Sequence, residues 1–213
     1  MTLKTKIPRK ITFQYCGEDY FFVPASPDHA PEMCEALRES LPDMAPFMCW
    51  ASEENATPAA QYGRLAAAFK TYFDDEGDYM FHLFRAGRFI GSVALMHRAW
   101  GKHVVEVGYW VRSQESKKGL ATVSTKIMLY LCWEVFHFKR VLCCHNNANV
   151  GSQKVIEKAG FVKESEHRWF EDATEEMIAA GCSEYTSLYA LMADSAPKQD
   201  LSDLDLKIEF YPL

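Results

Sequence analysis

Residues 105 to 133, VEVGYWVRSQESKKGLATVSTKIMLYLCW, set a tight basic turn between a strand pattern and a helix pattern. Lys117 and Lys118 stand just before Gly119, and Leu120, Ala121 and Thr122 open the helix. The first turn of a helix carries backbone N–H groups with no partner inside the helix, at the positive end of its dipole. With two lysines beside them, such donors form a seat for phosphate. Gly119 and Ala121 are small enough for an anion to approach the backbone. Neither common phosphate loop is present: no Gly-Lys-Ser/Thr ending, and no G-x-G-x-x-G after the strand.

A second stretch, HNNANVGSQKVIEKAGF over residues 145 to 161, follows a short apolar strand and enters a short helix. Asn149 is a good N-cap type, and Ser152 lies in the first turn, where a hydroxyl can face a ligand. Both residues also fit plain helix capping, and their types alone leave the two readings open. Val155 and Ile156 should point inward, Lys154 and Lys158 outward. His145 reads as a polar loop residue, and Cys143 and Cys144 as small core residues rather than an acyl-cysteine nucleophile. No histidine pair has metal-ligand spacing with a carboxylate, so no metal is expected.

Positioning these groups requires a sheet. In the first stretch Val105, Val107, Tyr109 and Val111 alternate with Glu106, Gly108 and Trp110, the period of a strand. Val123, Ile127, Leu131 and Val135 then follow helical spacing. Strands are expected at 11–15, 20–23, 79–85, 89–96, 104–111, 140–144, 161–169 and 186–192. Helices are expected from Pro27, over 58–73, 120–137 and 151–159, and, as an acidic segment, over 171–180. Residues 41–58 hold three prolines and read as a loop with one helical turn at most. The pattern predicts an α/β fold: one mixed, mostly antiparallel central sheet with helices on both faces. Residues 1–193 form the domain. Residues 194–213 form a polar tail, flexible through 206, whose LKIEFYPL ending fits either an added edge strand at a subunit contact, hence a homodimer, or a frayed end.

The chain has 213 residues and a formal charge of −6, which argues against a general nucleic-acid binder. Seven cysteines without C-x-x-C spacing favour a reducing, cytoplasmic setting over a disulfide framework. No signal peptide or bilayer-spanning run is visible, so no membrane partner is expected.

Together the two stretches resemble the GNAT superfamily of acetyl-CoA-dependent N-acetyltransferases. The family's Arg/Gln-x-x-Gly-x-Gly/Ala motif aligns with Ser116-Lys117-Lys118-Gly119-Leu120-Ala121, and its Asn-x-x-Ser … Glu-Lys-x-Gly-Phe motif with Asn149, Ser152 and residues 157–161. Glu-Val-Gly-Tyr-Trp-Val, the Ala-Thr after the turn, His167-Arg168 and Tyr189-Ala190-Leu191 are similar to the RimJ/RimL branch. The resemblance covers about residues 10 to 192. Ser116 departs from it, standing where Arg or Gln is usual.

The resemblance implies acetyl-CoA as co-substrate and a splayed strand pair whose freed backbone, from Tyr109, Trp110 and Val111, binds the pantetheine arm. It implies a phosphate seat over Ser116 to Thr122, with Asn149, Ser152 and Lys158 completing the cofactor site. An attacking amine must lose a proton. An α-amine with pKa near 8 is neutral in about a tenth of molecules at pH 7, so a modest base suffices. Glu106 is the candidate base, or else a salt-bridged carboxylate. Ser152 is matched to the residue that protonates the leaving thiolate, with Tyr109, Tyr130 and Tyr189 as alternatives, and Asn149 would orient the arm. Phe47 and Trp50, with Tyr185 in a later insertion, are candidates for the acceptor wall. Asp43, Glu53 and Glu54 would attract its cation. The acceptor implied is a peptide or protein N-terminus. A small amine is the runner-up, and a CoA-binding module with little turnover and a structural interaction domain are the other readings.

Overall fold

The computed structural model describes residues 6–74, 77–97, 101–168 and 173–212. Alternating apolar residues build β1 (Pro8–Tyr15), β2 (Glu18–Pro24), β3 (Tyr79–Arg85), β4 (Arg88–Met96) and β5 (Val104–Val111). They continue in β6 (Arg140–Asn146), β7 (Val162–Arg168), β8 (Tyr185–Met192) and β9 (Lys207–Phe210). The helices are α1 (Ala30–Met44), α2 (Pro58–Thr71), α3 (Leu120–Glu134), α4 (Val150–Lys158) and the short α5 (Glu175–Ala179). The described strands form one sheet in the order β7-β8-β6-β5-β4-β3-β2-β1-β9. Every pairing is antiparallel except β5 with β6. A parallel pair needs a crossover, and α3 supplies it.

Two apolar clusters cover the two faces of this sheet. Val105 and Val107 of β5 pack with Val123, Ile127 and Leu131 of α3 and Ile156 of α4. Trp110, one residue out of phase, packs on the opposite face with Met33 and Leu37 of α1 and Leu65 of α2. The period-2 alternation of β5 therefore separates the valine face from the face that carries Glu106 and Trp110.

Among the boundaries that differ from expectation, three bear on the core and the site. α1 runs through Pro42 to Met44, because Leu41 and Met44 are buried and hold the last turn against the core. α3 stops at Glu134 rather than 137. His137 takes a left-handed φ of 57° and Phe138 N–H donates to Cys132 C=O at 2.9 Å, closing the helix end. β6 continues two residues past Cys144 because Asn146 still pairs with Thr186. The expected strand end at Trp169 and the first residues of the acidic helix, Glu171 and Asp172, lie outside the described residues.

The expected flexible segment after 193 packs on the domain instead. Leu204 is buried, and Ala196, Leu201 and Leu206 lean on the α3 core. Lys207–Phe210 then adds to the sheet antiparallel to β1.

Candidate active site

β5 and β6 pair only from Val104 to Glu106 against Arg140 to Leu142. Beyond that point they part, while β5 stays paired with β4 through Val111 on its other edge. β6 is held away by β8 along its whole length. The backbone edge of β5 from Val107 to Val111 therefore faces a cleft.

A cavity of about 570 Å³ occupies this cleft and reaches the α1/α2 side. Glu106, Tyr109 and Trp110 of β5, Asn149 and Ser152 around α4, and Phe47 and Trp50 all line it. Residues from Phe47 to Ser152, far apart in the chain, thus share one space. Glu106 is the last residue of the parallel ladder, at the point where the strands open.

Asn149 and Ser152 divide the roles that their sequence left open. Asn149 Oδ1 accepts from Ser152 N–H at 3.0 Å and caps α4. The Ser152 hydroxyl plays no part in that cap. It lies 3.0 Å from Tyr109 Oη, and the phenol also lies 3.3 Å from the Ser152 carbonyl. Burial holds the Tyr109 phenol well above its usual pKa, outweighing the Ser152 hydrogen bond. It is therefore protonated at neutral pH and able to donate. Among the three tyrosines considered as proton donors, Tyr130 and Tyr189 are absent from the cavity wall.

His145 is not a loop residue. It lies in β6, is 6% exposed, and its Nδ1–H donates to Asn146 C=O at 2.8 Å. Desolvation keeps its pKa below the usual histidine value. Cys143 packs in the core, as expected of a small strand residue.

The turn before α3, where an anion seat is expected, is built differently from expectation. The first helical bond of α3 runs from Val123 N–H to Gly119 C=O, leaving the N–H groups of Leu120, Ala121 and Thr122 ahead of it. Lys117 and Gly119 both adopt left-handed φ, 61° and 84°, which folds the turn tightly. A Cβ at Gly119 would also stand 2.3 Å from Tyr15 Oη, so the end of the Tyr15 side chain would have to move. Lys118 does not stand free for phosphate: its ammonium lies 2.9 Å from Glu115. Glu115 is 2% exposed and also holds Arg85 at 2.9 Å and Arg88 at 3.7 Å. Desolvation raises the Glu115 pKa, but Lys118, Arg85 and Arg88 outweigh it and the net shift is downward. Arg85 and Arg88 flank the β3–β4 turn, and nothing in their local sequence announced a link to this loop.

Arg112 was also missed. It is 2% exposed, donates to Glu39 at 2.7 Å and to Glu35, both on α1, and to Phe89 C=O at 3.3 Å. Ser113 N–H donates to Ser40 Oγ at 3.0 Å, and the Ser113 hydroxyl donates to Asp43. These bonds tie the start of the basic turn to α1. They also use Asp43, which is therefore engaged there rather than in attracting a cation.

The acceptor end differs from expectation at several positions. Phe47 and Trp50 line the cavity, but Tyr185 does not; it is 42% exposed, and its neighbours Glu184 and Thr186 face the cavity instead. The alternation of β8 decides this, since Thr186 takes the inward position. Glu53 and Glu54 are exposed and off the wall, whereas Arg64 of α2 is on it. The wall itself is braced by Asn55 Nδ2 to Trp50 C=O at 2.9 Å, Gln61 Nε2 to Asn55 C=O at 2.7 Å and Arg38 Nε to Ala56 C=O at 3.0 Å. Lys158 is exposed at the far end of α4, outside the cavity. Val111 and residues 116 to 122 lie beyond it as well, around the α3 start.

Among the described residues no group of three or more His, Cys, Asp or Glu is placed to hold a metal ion. No described helix is long and apolar enough to cross a membrane.

The same arrangement of sheet and helices occurs in known proteins. The chain is similar to RimJ of Mycobacterium smegmatis in complex with CoA-disulfide, with a TM-score of 0.77, 16% identity, and 90% of this chain and 91% of that one covered. It is also similar to ribosomal-protein-S5-alanine acetyltransferase from Vibrio fischeri, with a TM-score of 0.74, 20% identity, and 87% and 98% covered. At such identities the likeness is one of fold. In sequence it is 27% identical over 82 residues to "Putative ribosomal N-acetyltransferase YdaF" of Bacillus subtilis (strain 168), covering 38% of this chain and 45% of that protein. The chain spans about half the length of the curated relatives it matches. Residues 20–162, from β2 to the start of β7 and including the whole β5–α3–β6–α4 unit, match the family described as an acetyltransferase (GNAT) domain, and the chain belongs to that family.

Proposed function

We propose that this protein transfers the acetyl group of acetyl-CoA to a primary amine, and that the amine is the N-terminal α-amine of a peptide or protein. The observation that carries this reading is the single cavity holding Glu106 together with the Tyr109–Ser152 hydroxyl pair, in the gap where β5 and β6 part. The relatives with RimJ-type and ribosomal-protein names support the choice of acceptor.

The residues present fit acetyl-CoA. The unladdered edge of β5 offers backbone groups to an extended pantetheine arm, as an added strand would. The α3 start offers N–H groups to phosphate, with Lys117 exposed nearby. Ser116 contributes no charge, so backbone donors carry more of this seat. Acetyl-CoA supplies the activated acyl group. Glu106 takes the ammonium proton, directly or through water. The Tyr109–Ser152 pair holds a proton beside the departing sulfur. A polyamine acceptor is disfavoured, because the Arg64 guanidinium stands in the same cavity.

The test is release of free CoA from acetyl-CoA with three acceptors: an N-terminal Ser or Ala peptide, spermidine and an aminoglycoside. Turnover of the peptide with its α-amine acetylated, located by mass spectrometry, is the expected result. Turnover of the small amines alone would replace this reading with the small-amine one. CoA-induced thermal stabilisation with no turnover would replace it with a CoA-binding module.

A further inference from the structure

Arg64 is the feature of the cavity that acetyl transfer leaves unused. Its guanidinium carbon sits 4.8 Å above the centre of the Trp50 ring, which in turn packs edge-on against Trp110 at 6.3 Å. The guanidinium thus belongs to the same aromatic wall as β5. Among the described residues it has no carboxylate within ion-pair distance. Its one polar contact is Nη1 to Gln61 Oε1 at 3.5 Å, the long limit of a hydrogen bond. By contrast Glu184, another charged residue on the wall, is paired with Arg168 at 2.7 Å.

A guanidinium carries five N–H donors in a planar fork suited to a carboxylate. The residue is exposed overall, while burial around its guanidinium lowers its pKa from the usual arginine value. It remains a cation at neutral pH. A partly desolvated cation with spare donors binds an anion more strongly than one in open water. The opposite charge lies on the sheet, where Glu106 marks the point at which β5 and β6 part. The cavity therefore offers a carboxylate to an amine and a guanidinium to an anion.

We infer that Arg64 is a specificity-determining residue: it binds a carboxylate that the acceptor carries close to its reactive amine, so the preferred acceptor is a peptide with an acidic side chain next to its N-terminus. This deepens the acetyl-transfer reading and rests on it. The same chemistry is available from the α-carboxylate of a free amino acid, and the test separates the two sources.

The experiment measures CoA release by the whole chain with five acceptors: a Ser-Asp peptide, the same peptide with Asn or with Lys in place of Asp, free serine and spermidine. A charge-assisted hydrogen bond predicts a preference for Asp over Asn of roughly tenfold or more in kcat/KM, seated in KM. Arg64→Gln removes that preference, Arg64→Lys keeps part of it, and Arg64→Glu shifts it toward a Ser-Lys peptide. No Asp preference in the unaltered protein, or equal losses on Asp and Asn peptides in Arg64→Gln, overturns the assignment. Arg64-dependent turnover of free serine without turnover of peptides supports the carboxylate site but overturns the peptide acceptor. Turnover of neither peptides nor serine, with spermidine active, overturns both.

Discussion

Tyr109 Oη and Ser152 Oγ lie 3.0 Å apart across the cleft between β5 and α4. The bond joins the strand that would hold the cofactor arm to the helix that follows the parting strand. It makes the two hydroxyls one proton-holding unit, with the phenol kept protonated by burial.

Under the proposed mechanism, removing either hydroxyl costs most of the pair's function. Ser152→Ala and Tyr109→Phe should each lower kcat on the order of 10²-fold. The double variant should lose about as much as either single one, because members of one unit are non-additive. Steady-state CoA release checks this, and multiplying losses would show that the two hydroxyls act independently.

Glu106→Gln should lower turnover more at pH 7 than at pH 9. An α-amine with pKa near 8 is about nine-tenths neutral at pH 9 and needs little help there. A pH–rate profile for the variant and the unaltered protein decides the matter, and equal losses at both ends speak against a general base.

The contact between Gly119 and Tyr15 gives a packing prediction. Gly119→Ala forces a left-handed residue and drives a methyl to within 2.3 Å of the Tyr15 oxygen. We expect a loss of about 1–3 kcal/mol in stability and weaker CoA binding. Tyr15→Phe in the same chain should restore part of both, since the nearest ring carbon lies at 3.3 Å. Thermal melting and calorimetry with CoA measure the two effects. Gly119→Glu should abolish CoA binding, adding charge at the seat to the same clash.

Glu115 gives a pH dependence whose sign follows from its lowered pKa. A carboxyl with a depressed folded pKa contributes stability above its unfolded value, near 4.3, and loses it as pH falls through the lower folded value. Glu115→Gln should therefore be less stable at pH 7, and its stability should fall less steeply below about pH 4. Urea unfolding across that range reads the difference. Parallel curves would mean that the cluster with Arg85, Arg88 and Lys118 does not couple to folding.

The β5–α3 and β6–α4 units were legible because their signals are local. Alternating apolar residues give β5 its two faces, and Asn149 at a helix start is a cap by its own chemistry. Gly119 was also legible as a special position, although its reason was not. A tight approach was expected from an anion, and the structure shows Tyr15 making one. Lys118 reads from its sequence as a phosphate ligand, and nothing local to it shows that Glu115, three residues earlier, is buried beneath it. Its burial depends on Arg85 and Arg88, some 30 residues away.

The resemblance to the GNAT family supplied the pairing of a basic helix start with a capped serine helix; by itself the sequence determined most of the elements and the identity of the two faces of β5. Periodicity and capping act within a few residues, so a linear reading reaches them. Only the tertiary structure decided where β5 and β6 part, that Tyr109 rather than Tyr130 or Tyr189 meets Ser152, and that Arg64 rather than Glu53 or Glu54 stands on the cavity wall. Those outcomes follow from sheet register and helix packing. A one-residue change in which side chain faces inward, as between Tyr185 and Thr186, exchanges wall for solvent.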